Sequence, residues 1–174
     1  MTRTVSAEAT IDMPRSQAWE KLSDISLAHN YVPGIIKTVI VSDRKNGEGA
    51  SRYVYRNGRS YIQETVVAWD EGHGFLLRLH RGEEPAPPFR AASFRYQLAD
   101  MGQHSTLFTA SFEFELPWGK LGRWLEKRME KIVQATIAVV ATAFKLYYET
   151  GQPTTSAALK AYKAAVGSHG AARS

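Results

Sequence analysis

The chain has 174 residues, 44% of them hydrophobic and 22% charged, which suits one globular domain with a real core. It contains no cysteine, and this excludes disulfides, thiol catalysis and Cys–zinc sites. The formal net charge of +5 belongs to the C-terminal part: beyond Thr150 the chain carries Lys160, Lys163 and Arg173 and no acid.

In chain order, "TVSAEATI" (residues 4–11) alternates apolar and polar residues and predicts a half-buried strand. "DMPRSQAWEKL" follows, with Asp12 as a possible cap, Pro14 suited to a first helical turn, and Ala18, Trp19 and Leu22 on one side. A second short helix is expected over "SLAHNY", ended by Pro33 and Gly34. The pattern then returns to strands: "IIKTVIVSD", "ASRYVYR", "RSYIQETVVAW", "FLLRLHR", "AASFRYQL" and "TLFTASFEFEL". Asn57–Gly58 between the second and third of these is a strong hairpin signal. The connection "HRGEEPAPPFR" (80–90) is unusual, because its prolines resist strand pairing and the segment is not expected to extend the hairpin.

After Pro117 the spacing becomes helical. Leu121, Leu125, Met129, Ile132, Val133, Thr136, Val140, Ala143, Phe144 and Tyr147 form one stripe, and Gly151 and Pro153 end it. The region 151–174 reads as a C-terminal extension, partly helical or disordered, behind a single domain over 1–150. A seven-stranded antiparallel sheet with one apolar face needs a cover, and the long amphipathic helix is that cover. A sheet curled around one helix leaves space that side chains or a ligand must fill.

The order β-α-α-β-β-β-β-β-β-α resembles the α+β helix-grip fold (START/Bet v 1-like), a curved seven-stranded antiparallel sheet wrapped around a long C-terminal helix with two short helices after strand 1. The pieces "ATIDMPRSQAWEKLSDI", "GEGASRYVYRNG", "QETVVAWDEGHG" and "FEFELPWGKLGRWLEKRMEKIVQAT" resemble the polyketide cyclase/dehydrase and lipid-transport group of the SRPBCC superfamily, over roughly residues 3–150. The resemblance implies an internal cavity for a lipid, sterol, hormone or polyketide, gated by loops at one end. The expected function is binding of such a ligand. The alternative is a polyketide cyclase/dehydratase-type enzyme using the same cavity, and a third reading is an interaction module using the basic helix or tail.

Candidate residues follow from pattern and resemblance together. Glu64 shares a strand face with Ile62, Val66 and Ala68, where an acid needs a partner. It orients a ligand hydroxyl, serves as a base, or pairs with a neighbouring arginine. Lys37 matches, in the resemblance, a lysine that binds an acidic ligand. Arg78 and His80 oppose the apolar Phe75, Leu77 and Leu79 on their strand, so the pattern turns them outward; the resemblance turns them inward, and a one-residue bulge decides between the two. Glu64 and His80 are the candidate proton carriers. Tyr53, Tyr55, Phe94, Tyr96, Phe112, Leu125, Met129, Val133 and Thr136 are the candidate lining, and Gly82, Glu83, Glu84, Pro85, Pro87 and Pro88 the candidate lid. The histidines show no metal-ligand spacing, and no cofactor fingerprint is present, so neither a metal nor a cofactor is expected. The basic tail lacks a nucleic-acid motif. The N-terminal residues show no signal-peptide pattern and no uncharged run nears the about 18 residues of a membrane span, so a cytoplasmic protein without stable membrane insertion is expected.

Overall fold

A computed structural model describes residues 2–102, 104–117 and 123–171, and the side chains of all of these except 123–126 and 167–171. Leu121 and the side chain of Leu125 lie outside the described residues. The elements in chain order are β1 (Arg3–Ile11), α1 (Arg15–Leu22), a 3-10 turn (Ile25–Leu27), α2 (Ala28–Tyr31), β2 (Lys37–Ile40), β3 (Ser51–Tyr55), β4 (Tyr61–Asp70), β5 (Gly74–Arg81), β6 (Glu84–Pro85), β7 (Ala91–Asp100), β8 (Thr106–Glu115), α3 (Arg123–Thr150) and α4 (Ser156–Ala171). The strands form one antiparallel sheet in the order β1-β8-β7-β5-β4-β3-β2, with the two-residue β6 paired to β5 beside that path. This is the helix-grip arrangement. The seven expected strands are present, and β6 is an addition to them.

The long helix is fixed along one side of the sheet rather than at its centre. Gln134 and Lys145 of α3 donate to the backbone carbonyls of Ser6 and Thr10 on β1. Its inward residues are Val133, Ile137, Val140, Ala141, Phe144 and Tyr148. The stripe read from sequence is therefore turned slightly: Ile137, Ala141 and Tyr148 join it, while Ile132 is 51% exposed at its flank.

The two halves of α3 meet different surroundings. Near its C-terminal end Phe144 stacks on Phe108 and on Tyr148, each at 3.7 Å between ring centroids, and Tyr31 of α2 meets it edge-on. Those aromatic rings fill the grip. The first half presents smaller aliphatic side chains to the β3–β4–β5 side of the sheet, and space remains there. Gly151, with φ +70°, ends the helix by donating its N–H to the Tyr147 carbonyl. Beyond it Thr154 bonds both Asn30 and Ala143, and Leu159 is the buried contact of α4. Among the described residues no helix is long and apolar enough to cross a membrane.

Local chemistry explains the remaining joints. Pro14 precedes α1 rather than entering it, and Asp12 does not cap it; the Asp12 N–H instead donates to Glu149. Asp24 caps the 3-10 turn through the Ser26 N–H. Helix α1 is tied to the β4–β5 turn by a shared carboxylate: the indole N–H groups of Trp19 and Trp69 donate to the two oxygens of Glu71, at 2.8 and 2.7 Å. The rings themselves meet edge to face at 4.9 Å.

The Trp69 and Trp19 hydrogen bonds hold the Glu71 carboxyl below the usual carboxylate range. Stability from this contact is therefore complete above the ordinary unfolded value of about 4.3 and lost as pH falls through the lower folded value. Glu71→Gln should flatten the dependence of stability on pH in this acid range, measured by urea unfolding followed through tryptophan emission. An unchanged slope would show that the indole contacts do not hold the carboxylate.

Candidate functional site

A cavity of about 280 Å³ lies between the first half of α3 and the concave face of the sheet. Its walls are mainly apolar: Val54 and Ile62 from β3 and β4, Leu79 from β5, Phe94 and Phe112 from β7 and β8, and Met129, Val133, Ile137 and Val140 from α3. The mouth is marked by the most exposed of the lining residues. These are Arg56 after β3, Pro87 and Pro88 in the β5–β7 connection, and Ile132 and Thr136 on α3.

The inner end is polar. Arg52 is fully buried, and its Nε and Nη2 donate to Glu64 Oε2 at 2.7 and 2.6 Å. Its Nη1 donates to the Ile25 carbonyl of the 3-10 turn. The two residues face each other directly across β3 and β4. Burial by itself would lower the guanidinium pKa, but Glu64 together with Tyr31 and Tyr96 more than offsets it, the net direction is upward, and Arg52 stays charged. The Tyr96 hydroxyl belongs to the same end of the cavity, and Tyr31 lies behind it, buried. Burial pushes both phenols above their ordinary range, with Arg52 acting in the opposite sense. Both are therefore protonated at neutral pH. Among the described residues no group of three or more His, Asp or Glu side chains is placed to hold a metal ion.

The family model for polyketide cyclase/dehydrase and lipid transport matches residues 2–149. The chain belongs to this family. Its fold is that of several solved structures at low identity. The ZhuI aromatase/cyclase from Streptomyces sp. R1128 superposes with a TM-score of 0.68 at 17% identity, over 86% of this chain and 94% of that one. A START superfamily protein from Mycobacterium smegmatis gives 0.65 at 17% identity, over 84% and 97%. Norcoclaurine synthase from Thalictrum flavum, solved with dopamine and hydroxybenzaldehyde, gives 0.60 at 14% identity, over 86% and 88%. Among curated protein sequences none matches significantly.

In this member of the family, Glu64, Phe94, Tyr96, Phe112, Met129, Val133 and Thr136 line the cavity. Other candidates lie elsewhere. Tyr53 and Tyr55 point to the convex side of β3, where each packs against Tyr61, because Arg52, Val54 and Arg56 take the inner face. Lys37 is exposed on the edge strand β2, its ammonium 5.8 Å from the Tyr55 ring and outside the lining. Arg78 and His80 also face outward, and both border a shallow convex-face pocket of about 430 Å³. The deciding bulge is on β4, between Val66 and Ala68, rather than on β5. It exposes Val67 and Ala68, so Ala68 leaves the face of Glu64, and it returns Trp69 to the core. His80 instead holds a turn: Nδ1 donates to the Gly82 carbonyl at 2.6 Å, which leaves Nε2 to accept from the Thr65 hydroxyl at 2.8 Å.

The lid segment divides in two. Gly82, with φ +61°, makes a tight turn, and Glu84–Pro85 pairs back onto Arg81 and His80, so the hairpin does extend here despite the prolines. Glu83 and Pro85 face the convex pocket, whereas Ala86, Pro87, Pro88 and Phe89 border the cavity. Pattern reading missed the polar Arg52 and, among the apolar walls, Val54, Ile62, Leu79 and Ile137.

Removing one partner of a buried ion pair leaves the other charged and unsatisfied. Arg52→Met should cost about 3–5 kcal/mol. The double change Arg52→Met/Glu64→Leu should recover a large part of that loss, because no charge is then stranded. A double-mutant cycle from urea unfolding measures the coupling, and additive costs would contradict the pairing.

Proposed function

We propose that this protein binds a small hydrophobic ligand, lipid-, sterol- or polyketide-like, in the cavity beneath the first half of α3. The observation that carries this reading is an apolar-walled chamber with a charged, hydrogen-bonding inner end. Such a site buries a hydrophobic body for affinity and fixes its direction through a few polar groups. The volume of about 280 Å³ lies near the lower end of the roughly 300–1,000 Å³ usual for ligand sites. It suits a compact ligand, or one end of a longer ligand that projects through the mouth. Family membership supports the same ligand class.

A second reading is enzymatic and rests on the polar end of the cavity. A carboxylate able to take a proton, next to a guanidinium and a phenol that hold negative charge on an oxygen, is the set that enolisation of a ketone requires. Apolar walls that hold a flexible poly-ketone chain in one folded shape would then direct ring closure. The likeness to an aromatase/cyclase favours this reading over other chemistries. Here Glu64 is the base, and Arg52 and Tyr96 stabilise the oxygen.

Native mass spectrometry of freshly purified protein is the direct test of the binding reading, with a co-purified apolar molecule expected. Incubation with a poly-ketone separates the readings: recovery unchanged supports a carrier, and recovery as a dehydrated cyclic product supports the enzyme. Val133→Phe should overfill the chamber, cost about 1–3 kcal/mol and abolish uptake of a neutral apolar dye. A variant that retained both its melting point and its dye uptake would show that Val133 does not bound the ligand space.

Within this reading Ala86–Phe89 closes over the ligand, on the stem made by Gly82–Pro85. Replacing Gly82–Pro88 by a short Asn-Gly turn should speed dye escape, read by stopped flow, more than it lowers stability. Unchanged off-rates would reduce the segment to a connector.

A further inference from the structure

We infer that the cavity selects ligands whose polar end is a neutral hydroxyl, of an alcohol, phenol or enol, and turns away carboxylates. This rests on the reading of the cavity as a ligand site and adds to it the chemistry of the head group.

The argument is a count of donors, acceptors and charge at the inner end. A guanidinium has five N–H groups. Three of those of Arg52 are engaged, two by one oxygen of Glu64 and one by the Ile25 carbonyl, and the Tyr31 and Tyr96 hydroxyls lie against the same guanidinium. Both contacts to Glu64 fall on Oε2, and among the described residues no donor reaches Oε1. The inner end therefore offers one carboxylate oxygen that still lacks a donor among the described residues, beside the Tyr96 hydroxyl. A ligand hydroxyl fits both, because it donates to Glu64 Oε1 and accepts from the Tyr96 hydroxyl.

Net charge separates the alternatives. Arg52 and Glu64 cancel, so the buried end is neutral overall and has no spare cation for an anionic ligand. A carboxylate there would lie against the Glu64 carboxylate out of water and would leave Oε1 unsatisfied. Among the described residues the nearby cations lie elsewhere: Lys37 is outside the lining, and Arg56 stands at the exposed mouth, where solvent screens it. A carboxylate pointed toward Arg56 gains little and puts its apolar end against the ion pair.

The test compares 2-naphthol, 2-naphthoate and naphthalene, which share one apolar body, as displacers of a neutral apolar dye at pH 7.5. The naphthol is then neutral and the naphthoate ionised. 2-Naphthol should bind at least about tenfold more tightly than 2-naphthoate, with naphthalene between them or level with the acid. Glu64→Gln should narrow or reverse that ratio, because Arg52 is then left with its charge uncompensated. The wild-type comparison needs no variant and decides the matter even if Glu64→Gln does not fold. Equal affinity for all three compounds, or tighter binding of 2-naphthoate, overturns the head-group assignment and leaves the cavity reading standing. Failure of the protein to take up the dye or any of the three overturns the cavity reading, and this inference with it.

Discussion

A charged guanidinium sealed inside a protein has to be neutralised where it stands, and much of this molecule's interior is arranged around that requirement. Arg52 is fully buried on β3, Glu64 faces it across the sheet, and the Ile25 carbonyl accepts a third hydrogen bond from above. The pair thus ties the short helical segment after α1 to β3 and β4 of the sheet. Buried ion pairs contribute little net stability once their desolvation is counted. What this one provides is direction: it gives an otherwise apolar chamber one polar end and fixes where that end lies.

The space itself comes from how the helix is held. Because α3 is bonded to β1, at the margin of the sheet, it cannot lie over the opposite strands as closely. Aromatic rings make up the difference near its C-terminal end, where Phe108, Phe144 and Tyr148 stack. Toward its start the helix presents Met129, Val133 and Ile137, which do not reach across. Cavity and core are thus two outcomes of one geometry, separated by side-chain volume.

Much of this fold was legible, because alternation and helical spacing report burial directly. The seven strands, the paired short helices and the long helix follow from those periods. The lining from β7, β8 and α3 was legible for the same reason: Phe94, Tyr96, Phe112, Met129 and Val133 are apolar or aromatic residues on inward faces. The β3–β4 hairpin was not. A two-residue Asn57–Gly58 turn pairs Arg52 with Gln63 and sets Tyr53 on the face of Glu64. In the folded chain Asn57 Oδ1 accepts from the N–H groups of both Arg59 and Ser60, the turn is longer, and Arg52 pairs with Glu64. A one-residue slip exchanges the two faces of a strand. The observed register turns Tyr53 and Tyr55 to the convex face and Arg52 to the inner one. The β4 bulge is a second case, since nothing in "ETVVAW" announces which valine is the extra residue. Glu64 itself was legible as an acid in need of a partner, and the expectation of a neighbouring arginine was met by Arg52.

The bonds from Gln134 and Lys145 to the carbonyls of Ser6 and Thr10 have a consequence for solubility. An open sheet ends in two strands with unpaired backbone groups, and each is a template on which another chain can build. Here one border is occupied by side chains from the protein's own helix, one of them a lysine. The other border, β2, is only four residues long and begins with Lys37. A growing fibril or a strand-exchanged pair would find a blocked row on one side and a short, charged one on the other. The helix that shapes the chamber thereby also protects the sheet from recruiting its own copies.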